Sequence, residues 1–276
     1  MSLADEIFIS NCSEILKNGY SDRNFPVRTR WQDGEKAYTV KRFGIVNRYD
    51  LSKEFPAITI RKTFFKSAVD EILWIWQKKS NRLSDLNSGI WNSWADERGT
   101  IGKAYGYQLG IKYDYPEGKF DQVDRILFDL KNNPLSRRII ASMYNFSDLN
   151  EMNLYPCAYG LTLNVCGGKL NAILNQRSQD MLVANNWNVC QYAVLVHMFA
   201  QVSGLAAGEL VHVIADAHIY DRHIPIVERI MKNPVYDAPR FEIDESVKDF
   251  YQFTTDSFSL KEYKYSELGE KIPVAI

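Results

Sequence analysis

Hydrophobic positions along the chain follow two periods, and these place most of its elements. Ala4 to Asn18 collects Ile7, Phe8, Ile15 and Leu16 on one side before Gly19, which predicts a helix with a glycine stop. Tyr38 to Val46 reads as a strand after an Asp33-Gly34 turn, and Ala57-Ile58-Thr59-Ile60 reads as a second, short one. Lys66 to Gln77 is a strongly apolar helix. Gln122 to Asn132 is an amphipathic one, with Val123, Ile126, Leu127 and Leu130 inward and Asn133-Pro134 as its end. Ser136 to Ile140 then begins a strand. Gly160 to Cys166 alternates with a period of two, Gly167-Gly168 marks a tight turn, and Leu170, Ala172 and Leu174 resume the alternation. Val189 to Ser203 is a buried helix closed by Gly204, Glu209 to Tyr220 a strand, and His223 to Asn233 a surface helix. Strands interleaved with helices predict an α/β (α+β) fold.

The pattern also gathers chemistry. A hairpin over 160–174 brings its outer ends together, so Cys157 falls near Gln176-Arg177-Ser178 although about twenty residues separate them. A thiol, an Arg-Ser pair, the acid Asp180 and the amide Asn188 then share one supersecondary unit. That set offers a soft nucleophile, an oxyanion grip and groups able to read a polar ring edge. A neighbouring guanidinium is expected to lower the thiol pKa. Glu71 lies within the apolar helix beside Val69, Ile72, Leu73 and Trp74, where an acid is either turned to solvent or buried with a partner. Burial would raise its pKa toward neutrality and suit it to proton transfer. His218 and Tyr220 share a strand face by period two, which suits a sugar hydroxyl. Asn188 is placed at the opening of the apolar helix.

Composition narrows the setting. Lys plus Arg (33) nearly balance Asp plus Glu (34), so no global basic field points to DNA. Cys12, Cys157, Cys166 and Cys190 form no CxxC pair and no zinc spacing with histidine, so no metal is expected. Met1 to Ile9 carries Asp5 and Glu6 without a long apolar core, and no apolar run approaches the ~20 residues of a membrane span. Reduced thiols in a cytoplasm fit this usage.

Several ordered motifs carry a family resemblance. They are Glu71-Ile-Leu-Trp, Trp91-x-x-Trp94-Ala-Asp, Tyr105-Gly106, Ser136-Arg137-Arg138, Pro156-Cys157, Arg177-Ser178-x-Asp180, Asn188, His218-Ile219-Tyr220 and the terminal Pro-Val-Ala-Ile. From about Arg28 to Ile276 the chain resembles the thymidylate synthases. The resemblance implies one catalytic domain over residues 1–276, with a large mixed sheet packing back to back in a homodimer. It implies methylation of deoxyuridine monophosphate (dUMP) to thymidylate (dTMP), with 5,10-methylenetetrahydrofolate as carbon donor and reductant and no metal.

It further implies that Cys157 adds to C6 of the base, that Glu71 and Tyr105 serve the proton leaving C5, and that Asn188 selects uracil. Arg28, Arg177 and Ser178 would hold the phosphate, joined across the dimer by Arg137 and Arg138 of the neighbouring subunit. His218 and Tyr220 would hold the ribose. Trp91, Trp94, Asp180, Ala184 and Ile276 would line the folate side, with the tail closing over it. Two departures stand out. Ala158 follows the nucleophile where the family often has histidine, and Ala184-Asn185-Asn186-Trp187 replaces a common Gly-Leu-Pro-Phe segment. A dUMP hydroxymethylase, or a non-catalytic nucleotide- or RNA-binding member of the fold, are the alternatives.

Overall fold

The structure, a computed structural model, describes residues 1–276. Helix α1 (Leu3–Asn18) starts behind Ser2, whose hydroxyl accepts the Asp5 N–H at 3.1 Å; Asp5 and Glu6 favour the positive end of the helix. Strands β1 (Tyr20–Ser21) and β2 (Thr39–Asp50) follow, then α2 (Phe65–Trp76) and the short α3 (Gly106–Leu109). A small hairpin, β3 (Tyr113–Tyr115) and β4 (Gly118–Phe120), precedes α4 (Gln122–Asn132), which is capped by the Asp121 carboxylate. Next come β5 (Ile140–Ser142), β6 (Ala158–Cys166), β7 (Lys169–Gln176), β8 (Gln179–Asp180) and α5 (Asn185–Val202). The chain ends through β9 (Ala206–Tyr220), α6 (Ile224–Ile230), β10 (Arg240–Ile243) and β11 (Phe258–Lys261).

Seven strands form one mixed sheet in the order β1-β2-β9-β7-β6-β5, with β8 alongside β9. β7 and β8 run parallel to β9, and every other pair is antiparallel. The parallel step needs a crossover, and α5 supplies it. Gly167 and Gly168 turn the β6–β7 hairpin at φ +57° and +75°, a conformation that needs no Cβ. Helix α5 is buried almost all round. Its Phe199 stacks on Phe250 at 4.7 Å and meets Trp76 of α2 edge-on at 6.1 Å, so one apolar core joins helices and sheet. The mixed sheet flanked by helices matches the expected fold class. No helix is long and apolar enough to cross a membrane.

Four sequence expectations need correction. Ala57 to Ile60 is buried yet forms no strand. Asp5 of α1 takes the N–H groups of Thr59 (2.7 Å) and Ile60 (3.2 Å), and Asn186 of α5 takes that of Ile58 (3.1 Å). Side chains thus replace the ladder that the apolar alternation suggested. The strand expected to begin at Ser136 begins only at Ile140, so Arg137 and Arg138 lie in the loop before it. Helix α5 opens at Asn185, which puts Asn188 in its first turn rather than at its start. Finally, the helix expected over His223 to Asn233 spans only Ile224–Ile230, and His223 itself is fully buried.

Candidate active site

The outer ends of the β6–β7 hairpin meet as the turn signal required. The Arg177 N–H donates to the Cys157 carbonyl at 3.0 Å. The guanidinium then reaches back across the loop. Nε donates to Pro156 O at 3.0 Å, and Nη2 to Tyr155 O at 2.7 Å, with Cys157 Sγ at 3.7 Å. Two carbonyls hold the cation in place, so it stays beside the sulfur without a carboxylate to neutralise it. Cys157 is half-buried, whereas Cys12 and Cys190 are sealed in the core and Cys166 is exposed at the far end of β6. The expected lowering of the thiol pKa is not the net outcome. Burial pushes the Cys157 thiol up, and Arg177 and Tyr105 offset only part of that.

Tyr105 accepts the Cys157 N–H through its hydroxyl at 2.9 Å. Its backbone sits at φ +48° and ψ −109°, a conformation a bulky residue holds only where its surroundings enforce it. Its ring packs edge-on against Trp91 at 5.2 Å, and Trp91 meets Trp94 at 5.6 Å. Burial pushes the phenol well above its ordinary value, so Tyr105 is a neutral hydroxyl at physiological pH.

Glu71 does have partners, all of them N–H donors. Trp91 Nε1 reaches Oε1 at 2.8 Å, while Trp187 Nε1 and Gln191 Nε2 (3.0 Å) both reach Oε2. Burial pushes the carboxyl from 4.5 to about 6 against these three bonds, with neighbouring Asp70 adding to the rise. A carboxyl with that value can take up and release protons near neutrality.

Asn188 lies on the same face of α5. Its Nδ2 donates to Gln191 Oε1 at 3.0 Å, and its Oδ1 receives the amides of Gln176 (3.3 Å) and Gln179 (3.4 Å). Asp180 is half-buried, and desolvation pushes its carboxyl up. His223, His218 and the Val183 N–H nevertheless hold it below the usual range. Its Oδ1 accepts from Leu182 N (2.9 Å) and Val183 N (3.1 Å), while no hydrogen bond reaches Oδ2. That free lone-pair edge fits a ring bearing adjacent N–H groups. Ala184 caps α5 directly after this loop.

His218 and Tyr220 do share a face, their rings 5.1 Å apart, and Asp216 fixes the His218 ring through Nδ1 at 2.8 Å. Ser178 is half-buried next to Arg177. Arg28, Arg137 and Arg138 are exposed and carry no carboxylate partner within the protomer. Of the residues singled out, these three are the ones not drawn into the cluster. The tail is tied to the loop that bears Arg28: Ile276 and Arg30 exchange backbone hydrogen bonds at 2.8 Å each way.

Four residues of the cluster have no role in the sequence reading. Trp187 and Gln191 stand one turn apart on α5 around Asn188, so helical spacing alone could have found them. Gln176 occupies a core position of β7, where a polar residue demands a partner, and takes one from His212. His223 sits 3.6 Å from Asp180 Oδ1 through Nδ1 and 2.7 Å from Pro273 O through Nε2. Burial lowers its pKa, but Asp180 and the Pro273 carbonyl outweigh that and raise it.

Similarity to known proteins extends over nearly the whole chain. The sequence model of the family described as thymidylate synthase matches residues 6–276. The thymidylate synthase of Bacillus subtilis subsp. natto is 45% identical over 272 residues, covering 97% of both chains. That of Bacillus phage phi3T is 44% identical, and that of Clostridium beijerinckii 39%, over the same share. The solved thermostable thymidylate synthase A from Bacillus subtilis superposes with a TM-score of 0.93 at 43% identity, covering 99% of each chain. The chain belongs to the thymidylate synthase family of methyltransferases.

Proposed function

We propose that residues 1–276 form one catalytic domain that converts dUMP and 5,10-methylenetetrahydrofolate to dTMP and dihydrofolate. One observation carries the reading: a half-buried thiol held 3.7 Å from an unpaired guanidinium, in a cluster that also holds a carboxyl poised at about 6. Uracil C5 is a poor nucleophile until a thiolate adds to C6 of the conjugated ring. Cys157 supplies that sulfur, and the phosphate held by Arg177 and Ser178 brings the ring over it. Arg177 also supplies the positive charge that favours the thiolate once the site fills. Asn188 pairs with the O4 and N3–H edge of the base, and His218 and Tyr220 hold the ribose.

Loss of the C5 proton falls to Glu71, ionised above about pH 6, with the neutral Tyr105 hydroxyl ordering the water between them. The absence of histidine at Ala158 leaves this to Glu71 and its three donors. Folate supplies both the one-carbon unit and the hydride, and as the hydride reaches the exocyclic methylene the C6–S bond breaks and Cys157 leaves as the thiolate. Asp180 Oδ2 receives the pterin N–H groups, Trp91, Trp94 and Ala184 line that side, and the Ile276 tail closes it to water. A cytoplasmic location belongs to the same reading, which the four free cysteines support.

The site takes Arg137 and Arg138 from a second subunit. Ile140, Thr162, Ile173 and Val211 form one register row on the sheet face turned away from the core. Ile140 and Ile173 are 57% and 41% exposed there, and Val46, two positions along, is 54% exposed. An apolar sheet face of this kind is covered in a stable protein, and a two-fold copy of itself covers it symmetrically. The two arginines lie two and three residues before Ile140, at the edge of that face. Ile173→Asp should dissociate the dimer in sedimentation and abolish activity together; an active monomer overturns the shared site.

Product analysis tests the reaction. Dihydrofolate and dTMP in equal amounts are expected from dUMP and methylenetetrahydrofolate. A hydroxymethyl nucleotide with tetrahydrofolate would replace hydride transfer by water capture, and no turnover would leave a binding protein.

A further inference from the structure

Gln191 is 1% exposed and makes contacts that leave its carboxamide only one orientation. Nε2 donates to Ala68 O at 3.2 Å and to Glu71 Oε2 at 3.0 Å. Both partners are acceptors only, and a flipped amide would set its oxygen against a carbonyl and a carboxylate. Gln191 Oε1 must therefore face Asn188, where it accepts Nδ2 at 3.0 Å. The opposite side of Asn188 matches this orientation. Gln176 and Gln179 present their amide nitrogens to Asn188 Oδ1 at 3.3 and 3.4 Å, and Gln176 Oε1 lies against Nε2 of the fully buried His212. The chain through Gln191 dictates the polarity, and the Gln176 side accommodates it.

We propose that Gln191 is a positioning residue that fixes which way round Asn188 presents its carboxamide, and so makes the choice of base depend on Glu71 and Ala68 through Gln191. The inference rests on Asn188 reading the base. Uracil offers an acceptor at O4 and a donor at N3, whereas cytosine offers a donor at N4 and an acceptor at N3. The two edges are related by reversal. A carboxamide free to rotate by half a turn meets either one, and a pinned carboxamide meets only the first. Nδ2 keeps a second hydrogen for the base, and Oδ1, which takes the amides of Gln176 (3.3 Å) and Gln179 (3.4 Å), meets N3–H by releasing the longer of the two. Discrimination against cytosine accordingly resides in the polarity imposed by the network as much as in the amide itself.

The test is the ratio of dUMP to dCMP affinity, measured by calorimetry on the full-length protein. Gln191→Met keeps the length of the side chain and removes both its donor and its acceptor. The ratio should narrow by about tenfold, the loss of one net hydrogen bond, chiefly through stronger dCMP binding. Gln191→Glu keeps an acceptor toward Asn188 and should hold the ratio near that of the parent. The same variant removes a donor from Glu71, so the acid limb of its pH–rate profile should move upward. A purely structural role would weaken both nucleotides by one factor in both variants and leave the ratio and the limb in place, which overturns the proposal. Where Gln191→Met does not fold, Gln176→Met frees the same carboxamide from its other side and should narrow the ratio alike. Asn188→Ala separates the two failures. An unchanged ratio there removes the base reading itself, whereas a changed ratio there with none in Gln191→Met removes only the role of Gln191.

Discussion

Replacing Trp187 with phenylalanine removes the indole N–H that donates to Glu71 and leaves a smaller aromatic ring in its place. Trp187 Nε1 is one of three donors to the Glu71 carboxylate. Burial alone pushes that carboxyl up, and the donors hold it at about 6. A hydrogen bond to a charged, buried acceptor is worth about 1.5–3 kcal/mol, of which relaxation recovers a part. The remainder, about 1.4 kcal/mol, shifts the titration by about one pH unit. Donation favours the charged form, so its loss moves the titration upward. If ionised Glu71 accepts the C5 proton, the acid limb of kcat lies near pH 6 in the parent and about one pH unit higher in Trp187→Phe, with a plateau within a few-fold at alkaline pH.

The same shift appears in stability. Between 4.5 and about 6 the native protein binds more protons at Glu71 than the unfolded chain does, so its stability falls as pH rises through that window. The fall amounts to about 2 kcal/mol, and the variant should lose about 1.4 kcal/mol more above its own shifted titration. Rate profiles and urea midpoints across pH check both. An acid limb that stays in place while the plateau drops would make Trp187 a cover for the site and refute the assignment to Glu71.

Two further substitutions probe other parts of the account. Asp5→Ala strips the acceptor from the Thr59 and Ile60 N–H groups and from the Thr59 hydroxyl, all buried, and should cost about 3 kcal/mol or more in urea denaturation without changing the dUMP KM of the remaining folded protein. His223→Gln removes the charge partner of Asp180 and its link to the Pro273 carbonyl. The folate KM should rise about tenfold while the dUMP KM stays within twofold, and steady-state kinetics with each substrate varied in turn distinguishes the two.

How far the sequence carried this picture depended on whether a residue's environment was local. The β6–β7 hairpin was legible from alternation and two glycines, and with it the meeting of Cys157 and Arg177. Glu71 was legible as an acid either turned to solvent or buried with partners, and the fold realises the second. The identity of those partners was not, since Trp91, Trp187 and Gln191 come from elements brought together only by the packed core. Ala57 to Ile60 misled because residues buried on both faces alternate no differently from a strand, and the side chains that satisfy them lie more than fifty residues away. The thiol misled for a related reason. Adjacent charge can be inferred from a hairpin, whereas the depth of burial that opposes it depends on the whole fold. His223 was hidden by its place in what reads as a surface helix, although it faces Asp180 from inside.

The central claim is that the sulfur of Cys157 bonds to the base, and Cys157→Ser addresses it with one atom changed. Single-turnover formation of dihydrofolate from dUMP and methylenetetrahydrofolate, measured alongside dUMP affinity, is the most direct measurement. A hydroxyl is far harder to ionise than a thiol beside the same guanidinium, so the rate should fall by about a thousandfold or more while dUMP binds within a few-fold of the parent. Dihydrofolate appearing at a rate close to that of the parent would show that no bond to Cys157 is needed, and the mechanism would have to be abandoned.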